Sequence, residues 1–178
     1  LPDIAFAVSE NRTDALLAGL DEGSLDLALI ASQPPGGGPK LALDPLFRDS
    51  FVLATGPIDE TLEPVALTAI DTDRMLLLDE GHCFRDQALA ACGLDGSAGK
   101  TFAATSLSTI VEFVASGQGL TLLPELALRK EATGRIQVHR LAAPGAGRML
   151  SLCWRGGSPF EAVYHEIGRS IRRTRESG

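Results

Sequence analysis

Short apolar runs alternate with amphipathic stretches along these 178 residues, and this alternation predicts an α/β fold. Two further observations support it. Helix-start and helix-stop residues fall at the joints between runs, and no repeat or low-complexity tract breaks the pattern. Strands and helices alternating at this spacing imply largely parallel sheets.

Ile4-Ala5-Phe6-Ala7-Val8 reads as a strand. Asn11 or Thr13 can cap a helix that carries Leu16, Leu17 and Leu20 and stops near Gly23. Asp26-Leu27-Ala28-Leu29-Ile30 is a buried strand, and Gln33 to Pro39, with its Pro-Pro-Gly-Gly-Gly run, is a loop. After Leu41 to Phe47, Phe51-Val52-Leu53-Ala54-Thr55 reads as another strand. Met75 to Leu78 is a strand leading directly into a segment with two cysteines, and Thr101 to Ala104 is extended. Ser106 caps a helix with Leu107, Ile110, Val111 and Val114 on one face, closed by Gly117. A strand over Gly119 to Leu123, a short helix near Glu125 to Arg129, and strands over Ile136 to Leu141 and Met149 to Trp154 follow. Ser158-Pro159-Phe160-Glu161 has the form of a capping box with Pro at the first helical position, and Ile167 and Ile171 continue that helix's apolar face.

The chain is long enough for one domain or two small lobes, with strands near 45–55 and 149–156 as candidates to cross between lobes. No apolar run reaches the roughly 20 residues of a membrane span. The formal charge of −7 argues against a nucleic-acid surface, and Arg169, Arg172, Arg173 and Arg175 read as a helix end facing water. The chain opens at Leu1-Pro2 with no initiator Met, so it reads as a fragment, and its three cysteines, few, odd in number and without a signal-peptide pattern, point to a reducing, cytoplasmic compartment.

The chemistry concentrates in Gly81-His82-Cys83-Phe84-Arg85-Asp86-Gln87-Ala88-Leu89-Ala90-Ala91-Cys92. On one helix, thiols nine residues apart stand about 13 Å apart along the axis, whereas a disulfide needs Cα atoms within roughly 7 Å. Forming the bridge must therefore unwind the segment, which makes the pair a candidate redox switch. Cys83 falls in the first helical turn, where unsatisfied N–H groups, the dipole and a cationic neighbour favour a thiolate. A thiolate attacks peroxides to give a sulfenic acid, and a second thiol such as Cys92 can capture it. Closing that loop contributes on the order of 3 kcal/mol, comparable with melting a short surface helix. His82 can orient or polarise an oxidant. Cys153, on an apolar strand, reads as a core thiol. No set of residues has metal-ligand spacing, so no metal site is expected, and no cofactor, nucleotide loop or serine nucleophile elbow is indicated.

The segment from Gly81 to Gln87, with Cys92, closely resembles the redox-active segment of the peroxide-sensing transcription activators in the LysR family. Ala104-Thr105-Ser106-Leu107 and Gly117 to Pro124 are similar to the family's following helix and strand. Arg155-Gly156-Gly157-Ser158-Pro159 is similar to its late strand–turn–helix entry, and Asn11 to Thr13 and Leu20 to Asp26 to its general effector-domain pattern. The resemblance implies two periplasmic-binding-protein-like subdomains joined by crossover strands, residues 1–48 with 157–178 in one and 49–156 in the other. It implies that Cys83 is the peroxidatic and Cys92 the resolving cysteine. Thr13, His82, Gln87 and Arg155 fall where the family places peroxide-pocket or supporting residues, Arg155 as a positive charge for the thiolate and Thr13 as a hydroxyl for the peroxide oxygens. Implied partners are hydrogen peroxide, a homodimer or homotetramer, RNA polymerase and reductants of the thioredoxin or glutaredoxin type. The family's first strand and helix of this domain, with a further pocket threonine, have no counterpart here. Its N-terminal winged helix-turn-helix and linker helix are also missing, so promoter DNA is reached only through a part this segment lacks.

Two other functions compete. An ordinary LysR-type effector or solute-binding module would hold a small organic ligand in an interlobe cleft, but leaves the two-cysteine segment without a purpose. A thiol peroxidase or disulfide oxidoreductase would be an enzyme, yet no Cys-x-x-Cys or other compact redox motif is present. The two-cysteine segment therefore favours a regulatory, non-enzymatic chain.

Overall fold

The computed structural model describes residues 4–31, 40–58, 63–80, 82–94, 103–132, 134–142 and 146–176. Two strands that run past each other organise the fold. β2 (Leu41–Thr55) and β7 (Gly147–Arg155) pair antiparallel from Leu41 opposite Arg155 to Ser50 opposite Gly147. The register shifts between Pro45 and Phe47, where proline has no N–H to give the ladder. β1 (Ala28–Ile30) lies on the outer side of β7. The second half of β2 pairs with β5 (Thr121–Pro124) on one side and with β6 (Gln137–Arg140) on the other.

Every ladder in this five-stranded sheet is antiparallel, which corrects the expectation of largely parallel sheets. The short strands attach to β2 and β7, whose opposed directions dictate the pairing. Parallel pairing persists between β3 (Leu77–Leu78) and β4 (Ala103–Ala104), and in single bridges from Met75 to Leu120 and from Val65 to Leu141.

The helices are α1 (Thr13–Glu22), α2 (Cys83–Ala91), α3 (Leu107–Ala115), α4 (Glu125–Glu131) and α5 (Glu161–Glu176). They cover the sheet in three apolar clusters. One packs α2 and α3 against β2 and β5 through Phe51, Leu53, Phe84, Ile110, Val114 and Leu122. A second places Leu20 of α1 on Ala28, Ile30 and Cys153. The third packs Tyr164 of α5 on Leu46, Leu152 and Trp154. Cys153 and its neighbours Leu152 and Trp154 thus enter different clusters, as the alternation of a strand buried on both faces requires. No described helix is long and apolar enough to cross a membrane.

Local expectations divide by whether a partner exists. Ser106 caps α3 as the sequence implies, its hydroxyl accepting from Thr109 N at 3.2 Å. Ile4 to Val8 forms no strand: Phe6 and Val8 are exposed, and no described strand pairs with the segment. Neither Asn11 nor Thr13 caps α1. Arg12 is the extended residue at its start, and the Asn11 side chain accepts from Arg12 N instead. Nor does the capping box at Ser158 close. Its hydroxyl accepts from Phe160 N at 3.2 Å, and the helix begins at Glu161. The loop expected over Gln33 to Pro39 lies outside the described residues, as do Thr101 and Phe102 of the extended stretch before Ala103.

The C-terminal arginines are engaged and do not form a free basic face. Arg169 and Arg173 pair with Glu166, Arg175 approaches Glu125 and lies over Phe47, and Arg172 donates to Asp44 of β2 at 3.0 Å. His165 adds a 3.3 Å contact to the same carboxylate. Burial alone would raise the Asp44 pKa, but the hydrogen bonds from Arg172 and His165 outweigh it and hold the carboxyl below its usual range. A carboxyl whose folded pKa is depressed contributes stability that is present above the unfolded value and lost as pH falls through the folded one. Asp44→Asn is therefore expected to cost about 1–2 kcal/mol at pH 7. In urea titrations that cost shrinks as the pH drops below about 4.

Candidate functional site

The two-cysteine segment is held by backbone geometry at both ends. Asp79 N donates to Ala104 O at 3.0 Å, and His82 N to Asp79 O at 3.3 Å, which turns the chain out of β3. His82 is then extended at the N-cap, and α2 begins at Cys83. At the other end Gly93, at φ 66°, adopts the left-handed conformation that closes a helix. Gly93 N donates to Ala90 O at 3.2 Å and Leu94 N to Leu89 O at 2.9 Å, the paired closure of a Schellman motif. Cys92 is the C-cap residue inside that closure, its N–H donating to Ala88 and Leu89 carbonyls.

Cys83 and Cys92 consequently occupy opposite ends of one intact helix, and both thiols are free. A rise of about 1.5 Å per residue sets them roughly 13 Å apart along the axis. Both are half-buried. Burial pushes the Cys92 thiol above its ordinary pKa, and Cys153 likewise. Cys153, fully enclosed beside Leu20, Ala28 and Ile30, is a core residue, as the sequence suggests.

Side chains of α2 dock it on three neighbours. Phe84 meets Phe51 of β2 edge-on, with ring centroids 5.3 Å apart at 86°. Gln87 donates through Nε2 to Ala31 O at 2.8 Å, just beyond β1, while its buried Oε1 has no acceptor role among the described residues. Arg85 is buried and donates to Leu78 O at 3.0 Å, so its guanidinium is directed to the end of β3.

The other expected pocket residues are dispersed. Thr13 is the first residue of α1, half-buried. Arg155 ends β7, exposed, with a guanidinium nitrogen 2.9 Å from where a Cβ on Gly23 would stand. No described hydrogen bond or ion pair joins Thr13, His82 or Arg155 to Cys83. The helix therefore gathers Cys83, Gln87 and Cys92 on one element, and leaves Thr13 and Arg155 on the α1 side of the sheet.

Sequence reasoning missed the pair beside this helix. Asp49 of β2 is wholly buried, faces Arg148 of β7 in register, and accepts from Arg148 Nε at 3.0 Å and from Leu126 N at 3.0 Å. Arg148 in turn places its guanidinium carbon 5.6 Å from the Phe84 ring centroid. Charged residues within two largely apolar strands are the available signal, but the register that sets Asp49 opposite Arg148 is not local.

Among known proteins, the family model described as the LysR substrate binding domain matches residues 1–173. A probable hydrogen peroxide-inducible genes activator of Streptomyces viridosporus is 43% identical over 178 residues, covering 96% of this chain and 56% of that protein. The DNA-binding transcriptional dual regulator OxyR of Escherichia coli K12 is 34% identical over 175 residues, with 96% of this chain and 57% of its own length covered. The chain thus spans about half the length of these relatives. Among solved structures, a cysteine-to-serine mutant of Corynebacterium glutamicum OxyR with hydrogen peroxide bound superposes with TM-score 0.88 at 26% identity, over 99% of this chain and 57% of that one. The reduced OxyR regulatory domain of Pseudomonas aeruginosa gives TM-score 0.77 at 32% identity, over 91% and 80%.

Proposed function

The chain belongs to the family of LysR substrate-binding domains, with their periplasmic-binding-protein-like α/β fold, and from that premise we propose that it is the peroxide-sensing regulatory part of a cytoplasmic transcription activator. The observation that carries the reading is the placement of two free, half-buried thiols at the first residue and the C-cap of one nine-residue helix. Relatives named as hydrogen peroxide-inducible activators support it.

In the proposed cycle the Cys83 thiolate attacks one oxygen of hydrogen peroxide. The O–O bond breaks, the departing hydroxide takes a proton to become water, and Cys83 becomes a sulfenic acid. Cys92 sulfur, losing its proton, then attacks the Cys83 sulfur. The S–O bond breaks, a second water leaves, and the two thiols have given two electrons and two protons to the peroxide. Since the helix holds the sulfurs too far apart, the second step requires α2 to open. A thioredoxin- or glutaredoxin-type dithiol returns both sulfurs to thiols.

Thr13, His82, Gln87 and Arg155 are assigned to the peroxide pocket or its support. The division into residues 1–48 with 157–178, and 49–156, is likewise part of the proposal. The separate apolar clusters of α1, α5 and α2 with α3 are consistent with it. Oxidation would alter packing within a homodimer or homotetramer, and through it the contacts with RNA polymerase and promoter DNA of a winged helix-turn-helix outside this chain. The domain signals and does not turn over as an enzyme.

The test is peptide mapping after substoichiometric peroxide, which should yield a Cys83–Cys92 linked peptide with Cys153 unlinked. Thiols that stay free, together with a ligand-dependent rise in melting temperature that Cys83→Ser leaves unchanged, would instead identify a small-molecule effector domain.

A further inference from the structure

We infer that Arg148 is a positioning residue that ties the redox helix to the crossing strands, holding α2 helical while its thiols are free. The inference rests on the reading of Cys83 and Cys92 as a switch, and extends it to how the switch is sensed by the rest of the domain.

Four contacts form one chain of support. Asp49, wholly buried on β2, accepts from Leu126 N in the first turn of α4 and from Arg148 Nε, both at 3.0 Å. Arg148, directly opposite on β7 and mostly covered, is thereby fixed in orientation. Its guanidinium faces the ring of Phe84 at 5.6 Å, the residue immediately after Cys83. Phe84 closes the circuit by its edge-on contact with Phe51, two residues beyond Asp49 on β2.

The backbone around this circuit leaves little slack. A Cβ on Gly147 would stand 2.7 Å from Asp49 O, and Phe51 N donates to Ala146 O at 3.0 Å, so β2 and β7 are in tight register there. A cation over an aromatic face is strongest where water is excluded, and Phe84 is buried. Unwinding α2 to bring Cys83 to Cys92 withdraws Phe84 from Arg148 and from Phe51 together. Arg148 then keeps its carboxylate but loses the ring, and the change arrives at the strand pair rather than staying in the loop. Arg148 thus favours the thiol form over the bridged form.

The experiment compares the unsubstituted 178-residue chain with Arg148→Met, Arg148→Lys and Phe84→Leu. Each is titrated in glutathione buffers to the midpoint of Cys83–Cys92 bridging, and hydrogen exchange of amides 84–91 is measured in the thiol form. Arg148→Met should move the midpoint about five- to tenfold toward the bridged form and speed α2 exchange by a similar factor. Arg148→Lys should recover part of both effects. Arg148→Met added to Phe84→Leu should produce no further shift, because the contact is already gone.

A merely structural arginine would lower urea stability equally in both redox forms and leave the glutathione midpoint in place. Unchanged midpoint and unchanged α2 exchange, with a bridge forming normally, would overturn the tie while leaving the sensor reading intact. Faster α2 exchange in the Arg148 variant, with no bridge ever formed in the unsubstituted chain, would overturn the sensor reading and support the tie.

Discussion

Cys83→Ser is expected to abolish the peroxide-driven bridge completely, whereas Cys92→Ser should leave the first oxidation intact and block only the second. The difference follows from the two ends of α2. A sulfenic acid must form on a thiolate, and Cys83 sits at the open start of the helix, half-buried, with polar neighbours. Cys92 lies in the Schellman closure against the apolar cluster, where burial pushes its thiol above the ordinary pKa. A raised pKa means less thiolate at neutral pH, so direct attack of Cys92 on peroxide is disfavoured until the pH rises. In the Cys92→Ser chain the Cys83 sulfenic acid should therefore persist long enough to be trapped by dimedone, adding its mass to the Cys83 peptide. In the Cys83→Ser chain, Cys92 should react with peroxide slowly and gain rate with pH. Peroxide consumption by Cys83→Ser at the unsubstituted rate would assign the primary chemistry to another thiol.

Whether bridging is reversible depends on a balance visible in the geometry. Opening α2 costs the paired hydrogen bonds at Gly93 and Leu94, the contacts of Phe84 with Phe51 and Arg148, and the Gln87 contact to Ala31. Each hydrogen bond contributes about 0.5–1.5 kcal/mol net, and an aromatic pair about as much. The total is of the same size as the ~3 kcal/mol that closing a ten-residue loop contributes. A balance of this size is what the proposed reversible bridge requires.

Some helix boundaries were legible in the sequence, at Ser106, Gly23 and Gly117, whereas the caps expected at Asn11 or Thr13 and at Ser158 do not form. Ser106 caps α3, Gly23 and Gly117 take left-handed conformations, and the α3 stripe of Ile110, Val111 and Val114 is buried. Pairing between distant strands was not legible. Residues opposite one another on β2 and β7 are about a hundred positions apart, so nothing in either run states its direction relative to the other. The same limit hid Asp49 and Arg148, whose charges make sense only once they face each other. It also explains the strand expected at Ile4 to Val8, where the alternating pattern is present but no described strand pairs with it. For the site, the segment's own order pointed to Cys83, Cys92 and the adjacent His82, whereas the role of Gln87 rests on family resemblance. Thr13 and Arg155 lie on other elements, and their link to Cys83 rests on family resemblance.

The largest loss of stability should come from Trp154→Ala, at about 3–5 kcal/mol. Trp154 is 1% exposed on β7 and forms the platform on which α5 rests, its ring 5.5 Å from that of Tyr164 and 5.1 Å from that of His165. Alanine leaves a cavity that Leu46 and Leu152 cannot fill without moving the sheet. Trp154→Phe should cost far less than its lost volume suggests. The indole N–H is buried and has no acceptor among the described residues, so the native ring already carries a desolvation penalty of about 1–3 kcal/mol that phenylalanine removes. Urea unfolding followed by far-ultraviolet circular dichroism separates the two, since Trp154 is the chain's one tryptophan and both variants lose its fluorescence. Equal losses from Trp154→Ala and Trp154→Phe would mean that the indole nitrogen, and not the ring's bulk, anchors α5 to the crossing strand.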